Sequence, residues 1–312
     1  MKKKIIAFAG MVLAFLLLAY GFVPQVLGGK IVNQSDISGW QGMSHEMMEW
    51  NAAHPDDQTA WTESMFGGMP TTTIHASTKG DWTQPLYDLL LTGKRPATYL
   101  FISLLGAFLL MLSLGINRFL AVGGAIAVAF CSYNFQIIQV GHNTKMQAIA
   151  FFPWVLAAMI YTYRSAFSDG KKGWLWKVLP GSALFGLALS FQIKANHPQI
   201  TWYLATCVVM AALAEFVTVL MDRKDLKDKL VRFFSASALL LVLGIAGIAT
   251  NANKLIPTYD YSKATMRGGS ELGQSDGSKG SKGLDLDYAT AWSYGIGETP
   301  NLMIANYNGG SS

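Results

Sequence analysis

Long apolar blocks separated by short polar connectors make up most of this chain. A helix needs roughly 20 apolar residues to cross about 30 Å of hydrocarbon. Seven blocks approach that length, at 5–27, 97–116, 119–140, 146–163, 174–193, 200–221 and 233–252. Because a backbone in lipid must satisfy its own hydrogen bonds, we expect helices. The pattern predicts an all-α polytopic membrane protein with about seven transmembrane helices and a large first outer loop.

The same pattern divides the chain into four predicted parts. Residues 1–28 form a first transmembrane helix, 29–95 a large periplasmic loop, 96–253 a bundle of about six transmembrane helices, and 254–312 a periplasmic loop or tail. The first block resembles a signal peptide, but it is longer than an h-region and offers no clear A-x-A site, which favours a retained helix. Residues 268–283 have the Gly/Ser-rich composition of a flexible linker. We expect the sequence to be the front portion of a longer protein.

The large loop contains predicted structure of its own. An apolar stripe falls at helical spacing on one face, at Trp40, Met43, Met47 and Trp50. Such a stripe is typical of a helix that lies on a membrane surface, or of one that packs on the ends of the spans. A second short helix is predicted at 86–92, and a turn containing Gly and Pro is predicted at 61–70.

Charge agrees with a membrane protein. Only 14% of the residues are charged, against about 25% in soluble domains. Lys and Arg concentrate on the side of the N-terminus, and the short loops on the other side hold only Lys145 and Lys194. This bias predicts a multi-pass protein of the bacterial inner membrane with a cytoplasmic N-terminus. Topology accounts for the net charge of +5, so no nucleic-acid partner is expected.

Several common motifs are missing from the sequence. It has no G-x-x-x-x-G-K-[ST], no zinc-ligand spacing and no G-x-S-x-G. An ATP-driven pump and a serine hydrolase are therefore not indicated. No metal or cofactor site is predicted, although a divalent metal at Asp36 stays open.

Polar residues collect at the predicted outer ends of the spans. His142 and Lys145 are three residues apart, as are Lys194 and His197, so each pair can share a helix face. Charges near a bilayer are costly and tend to mark a site. Lys and protonated His can hold a phosphate, and a carboxylate such as Asp36 can take a proton from a hydroxyl. The simpler alternatives are lysines that snorkel and histidines that pack through hydrogen bonds.

Five segments resemble the YfhO family of bacterial membrane proteins in its Bacteroidetes form: "SDISGWQ", "WTESMFGGMP", "GHNTK", "NHPQITWY" and "WSYGIGE". The resemblance covers nearly the whole chain. That family is similar to GT-C glycosyltransferases, which carry an acidic residue just after the first span and surface jaw helices. The resemblance therefore implies a GT-C-like fold and transfer of a sugar from undecaprenyl phosphate, a polyprenyl-phosphate donor, to a glycan, lipid or protein acceptor outside the cytoplasm.

The resemblance and the polar clusters together give each candidate residue an expected role. Asp36 is the expected catalytic base. The expected phosphate-binding residues are His142, Lys145, Lys194 and His197. The expected substrate-binding residues are Trp40, Trp61, Glu63 and Gln199. Membrane lipid is a further expected partner. Two other function classes stay open, namely a transporter or lipid flippase for envelope components and a non-catalytic membrane assembly factor.

Overall fold

The chain forms two compact units. Unit 1 comprises residues 1–43 and 78–252, and unit 2 comprises residues 44–77 and 253–312. The computed structural model describes residues 2–74, 81–168, 173–265, 286–291, 293, 295–302, 304, 307 and 308. The predicted linker at 268–283 lies outside these described residues.

Unit 1 is built from helices. They are α1 (Lys2–Phe22), the start of α2 (Ser35–Ala53), α3 (Gln84–Leu91), α4 (Ala97–Ser113), α5 (Arg118–Ala129), α6 (Ser132–Val140), α7 (Asn143–Ala166), α8 (Trp174–Lys194), α9 (Pro198–Met221) and α10 (Leu226–Ala249), with a 3₁₀ turn at Pro24–Val26. The second short helix predicted in the outer loop is confirmed as α3.

The length and composition of these helices mark a membrane protein. Within the described residues, five segments are long and apolar enough to cross a bilayer, at 118–140, 143–166, 174–194, 198–221 and 226–249. The same part of the chain contains two shorter apolar helices, at Ile6–Phe22 and Ala97–Ser113. The protein is therefore an all-α, multi-pass membrane protein. The predicted total of about seven spans requires that both shorter helices also cross.

The third predicted span consists of two helices. α5 ends at Ala129 and α6 begins at Ser132. The buried side chain of Asn134 donates from Nδ2 to the carbonyl oxygens of Val128 at 3.0 Å and Ala129 at 3.1 Å. The end of a helix leaves such carbonyls without helical partners. The amide side chain therefore lets the helix break inside an apolar segment, where water is absent.

α7 lies at the centre of unit 1. It packs against α4 and α8, and α8 also packs against α10. One buried apolar cluster joins α1, α4, α5, α6 and the start of α7, and a second joins α7 to α10. We call the end that carries Asp36, Asp81, His142 and Lys194 the polar end. The opposite end, which carries Arg164 and is where α4 and α7 end, is called the basic end.

Glycines allow α8 and α10 to approach closely. A Cβ atom at Gly186 would lie 2.4 Å from the carbonyl oxygen of Leu243, and one at Gly247 would lie 2.2 Å from the carbonyl oxygen of Gly186. The atoms that fill this space belong to the backbone, which cannot rotate away. Small residues commonly bring membrane helices together in this way.

We expect Gly247→Ala to destabilise the protein by about 1–3 kcal/mol, the usual cost of overpacking. The added methyl group fits only if α8 and α10 move apart. Unfolding in mixed detergent micelles measures the loss. Gly123→Ala is the control, because a Cβ atom there has no neighbour within 4 Å. Equal losses in the two variants would contradict the close contact.

Unit 2 contains the end of α2, a hairpin and short helices. β1 (Trp61–Thr62) pairs antiparallel with β2 (Met69–Pro70). The turn predicted at 61–70 is therefore confirmed, with a short strand on each side. The other elements among the described residues of unit 2 are a 3₁₀ turn at Thr71–Thr73, α11 (Ala252–Ser262), whose first residue belongs to unit 1, α12 (Leu286–Thr290) and a 3₁₀ helix at Ile296–Leu302.

Candidate functional site

Asp36 contacts His142 at the polar end of unit 1. The Asp36 Oδ2 atom lies 2.9 Å from His142 Nε2. Asp36 is in the first turn of α2, and His142 immediately precedes α7. The two side chains are 44% and 47% exposed, so a substrate can reach them. When Nε2 donates to the carboxylate, a hydroxyl can lose its proton to the other oxygen of Asp36.

Hydrogen bonds fasten residues 34–36 to the corner between α6 and α7. Gln34 and Asn143 exchange side-chain amide bonds of 3.3 and 3.2 Å. Gln34 Nε2 also donates to the carbonyl oxygen of Ile138 at 2.5 Å, and Ser35 Oγ donates to that of Val140 at 3.4 Å. The approach of α2 to this corner therefore depends on several contacts besides that between Asp36 and His142.

Gly141 shapes the same corner. Its φ is +110°, and a Cβ atom there would lie 3.0 Å from the Cβ of Asp36. L side chains rarely adopt that φ, and a left-handed glycine is a common end for a helix. Gly141 therefore ends α6, leaves room for α2, and places His142 beside Asp36.

His197 lies close enough to Lys145 and His142 to sense their charge. It caps α9, where its Nδ1 accepts the Ile200 N–H at 3.4 Å. Partial burial lowers the pKa of His197, and the positive charges of Lys145 and His142 lower it further. The ring is therefore neutral at pH 7 and can donate from Nε2. Lys145 Nζ also lies 5.2 Å from the centre of the Tyr133 ring, a cation–π contact.

Lys194 forms a buried ion pair with Asp81. The two side chains are only 4% and 5% exposed. Asp81 Oδ1 also accepts hydrogen bonds from the Thr83 amide at 3.0 Å and from its hydroxyl at 2.7 Å. The Asp81 carboxylate therefore already neutralises the positive charge of Lys194, which was predicted to bind phosphate. The sequence carries no local signal for this pair, because its members are 113 residues apart.

A chain of hydroxyl groups continues from this ion pair. Thr83 Oγ1 lies 3.2 Å from Ser190 Oγ, which lies 2.7 Å from Thr250 Oγ1. Asn251 Nδ2 donates to the Ser190 carbonyl oxygen at 3.1 Å. These bonds connect the segment before α3 with α8 and with the end of α10.

A basic cavity of about 400 Å³ lies at the polar end. Its cations are Lys30, Lys94 and Arg95, and none of its described lining residues is acidic. Within the described residues, no carboxylate lies within 4.0 Å of the charged nitrogens of these three side chains. A concave site with an excess of positive charge attracts anions such as phosphate.

The cavity adjoins the Asp36–His142 pair. Its lining includes Gln34 and Ile37, which stand on either side of Asp36, and Asn143, which follows His142. The sequence-based site did not include the three cations of the cavity. Lys94 and Arg95 are adjacent in the sequence, and only the fold brings Lys30 to them.

The predicted substrate-binding residues are divided between the two units. In unit 1, Trp40 is half-buried and Gln199 is exposed in the first turn of α9. In unit 2, Trp61 and Glu63 are exposed on the hairpin. Of the predicted stripe on α2, only Met47 is buried, at 2% exposure.

Glu46 organises the hairpin of unit 2. Its Oε2 accepts hydrogen bonds from the Thr62 hydroxyl at 2.6 Å, the Glu63 amide at 3.0 Å and the Ser64 amide at 2.9 Å. The Thr62 bond is the main reason that the pKa of Glu46 is lowered. The sequence carries no local signal for this turn-forming role, because Glu46 and Thr62 are 16 residues apart.

Metal sites and known relatives give no further assignment. Within the described parts of the chain, no group of three or more His, Cys, Asp or Glu is arranged to hold a metal ion. The chain matches no family model, no curated protein and no solved structure. Function is therefore inferred from the residues at the polar end and from the resemblance noted in the sequence.

Proposed function

We propose that the protein is a membrane glycosyltransferase. It moves a sugar from a polyprenyl-phosphate donor to a glycan, lipid or protein acceptor on the outer side of the bacterial inner membrane. One observation carries the proposal: the Asp36–His142 pair stands beside a cavity lined by Lys30, Lys94 and Arg95. Sugar transfer off a lipid phosphate needs a base for the acceptor and cations for the departing phosphate. The resemblance to the YfhO family and to GT-C enzymes favours the same class.

In the proposed reaction, Asp36 is the general base. The acceptor hydroxyl gives its proton to the Asp36 carboxylate while its oxygen forms a bond to the anomeric carbon. The bond from that carbon to the phosphate oxygen breaks, and its electron pair leaves with the phosphate. Attack from the face opposite the leaving group inverts the anomeric centre. His142 orients the carboxylate through its 2.9 Å contact.

The remaining polar groups at this end hold the phosphate or support its site. The cations of the cavity, together with Lys145, offset the charge that develops on the departing phosphate, and the neutral His197 ring donates a hydrogen bond to it. Lys194 is assigned a different part. Because it is buried with Asp81, it fixes the segment before α3.

Donor turnover tests the proposal. Membranes that contain the protein receive radiolabelled polyprenyl-phosphate sugars, and loss of label from the lipid is followed. We expect the wild type to consume one donor, and the double variant Lys94→Gln, Arg95→Gln to be about 10²-fold slower, the usual effect of removing a donor that stabilises developing negative charge.

Lys227→Gln is the control for that experiment, because Lys227 is exposed at the start of α10. Its turnover should equal that of the wild type. If folded wild-type protein consumes no donor, the proposed function is wrong. If the double variant matches the wild type, the cavity does not hold the phosphate.

A transporter of lipid-linked sugars is the second candidate. The break between α5 and α6, capped by Asn134, is the observation that favours it, since transporters commonly use discontinuous helices. This candidate predicts that labelled donor changes membrane leaflet and keeps its sugar. The transferase predicts that the sugar leaves the lipid.

A further inference from the structure

An apolar groove runs along α4, α7 and α8. It has a volume of about 600 Å³, and its lining includes Leu109, Phe151, Trp154, Leu184 and Leu187. Leu184 is 56% exposed, so the groove opens on the outer surface of the helices. On α7 the lining extends from Phe151 to Tyr161. That is about 15 Å of helix, close to half of a 30 Å hydrocarbon layer.

The groove leads into a polar pocket at the basic end of unit 1. This pocket, of about 510 Å³, shares Leu112, Ser113 and Tyr161 with the groove. Its other walls include Arg164 and Lys177, with two serine residues between them in the chain. One continuous surface is therefore apolar along the helices and cationic where they end.

The cations of the pocket are positioned by neighbouring oxygen atoms. Arg164 Nη1 donates to the carbonyl oxygen of Ser113 at 2.7 Å. A guanidinium has five N–H donors, and no described carboxylate lies within 4.0 Å of Arg164. Lys177 Nζ donates to Ser168 Oγ at 3.3 Å. Arg164 can therefore present a fork of donors to an anion while one of its bonds holds it in place.

We infer that the groove and the pocket together bind one anionic glycerophospholipid. Its phosphate contacts Arg164 and Lys177, and one acyl chain lies in the groove. The charge of the pocket selects a headgroup without a cation, because a choline group would bring a second positive charge to the same place. Guanidinium geometry suits phosphate oxygens. The length of the groove along α7 matches the thickness of the hydrocarbon in one leaflet. The site does not depend on the proposed transferase activity, since it occupies the opposite end of the helices.

Lipid binding to the purified chain in neutral detergent tests this inference. Native mass spectrometry measures the binding of phosphatidylglycerol, phosphatidylcholine and glycerol 3-phosphate. We expect phosphatidylglycerol to bind at least tenfold more tightly than phosphatidylcholine. We expect glycerol 3-phosphate to dissociate, because it has no acyl chain to occupy the groove. Arg164→Gln and Lys177→Gln should each weaken phosphatidylglycerol binding about fivefold, whereas Arg164→Lys should keep the preference for the anionic lipid.

Matched controls separate the site from general lipid contact. Lys227→Gln removes a cation near the same end and should leave both affinities unchanged. Leu184→Trp should fill the groove and reduce the binding of both lipids, whereas Leu213→Trp, at a side chain on α9 that is 57% exposed, should not.

Three results would overturn the inference. They are equal affinity for the two lipids, wild-type binding by Lys177→Gln, and retention of glycerol 3-phosphate as tightly as phosphatidylglycerol. The last result would indicate a site for a soluble phosphate. The Lys177→Gln variant decides the matter even if Arg164→Gln fails to fold.

Discussion

Asp81→Asn should destabilise the protein by about 3–5 kcal/mol, the usual cost of removing one member of a buried ion pair. Lys194 is 4% exposed on its side chain and lies against the Tyr87 ring, 5.8 Å from its centre. Without the carboxylate, its ammonium would stay in a poorly solvated place. Unfolding in mixed detergent micelles measures the loss.

Two further variants make this expectation specific. Adding Lys194→Met to Asp81→Asn should recover most of the lost stability, because no charge then remains buried. Asp222→Asn breaks the more exposed ion pair with Lys229 and should cost less than about 1 kcal/mol. If Asp81→Asn costs no more than Asp222→Asn, the buried pair does not hold the polar end together.

Asp36→Asn should slow donor turnover by about 10²–10⁴-fold, the usual contribution of a general base. An amide of the same shape can still contact His142, but it cannot take the proton of the acceptor hydroxyl. Because Asp36 is 44% exposed, the free energy of unfolding should change little. The rate of label loss from the donor and the unfolding curve are measured on the same preparation.

Glu49→Gln is the matched control for Asp36→Asn. Glu49 is on the same helix and also contacts a histidine, with its Oε1 3.3 Å from His45 Nε2. That pair is about 70% exposed and has no proposed part in the reaction. Turnover by Glu49→Gln should equal that of the wild type. Wild-type turnover by Asp36→Asn would show that another group is the base.

Hydropathy predicted the positions of the helices because a membrane segment must be apolar along its length. It placed the start of the last span at residue 233, whereas α10 begins at Leu226. The extra turns carry charges that pair along the helix, with Arg232 Nε 2.9 Å from Asp228 Oδ2. Arg232 Nη1 also donates to the carbonyl oxygen of Ala166. Hydropathy records only the apolar part of such a helix, and it records no break between α5 and α6 because both are apolar.

The sequence indicated individual residues of the candidate site, but it did not indicate how they are arranged in space. Asp36 and His142 each stood out from their apolar surroundings, yet 106 positions separate them, and no local spacing says that they touch. Lys145 and His197 are near each other, as the helix ends suggested. Lys194 differs, because its partner Asp81 is 113 residues away in the chain, and only the fold brings the two together.

The two walls of the basic cavity are attached to different helices. On one side, Gln34 is bonded to Asn143 at the start of α7. On the other, the Lys94 amide donates to the Tyr20 hydroxyl of α1 at 2.9 Å. The width of the cavity therefore depends on the separation of α1 and α7.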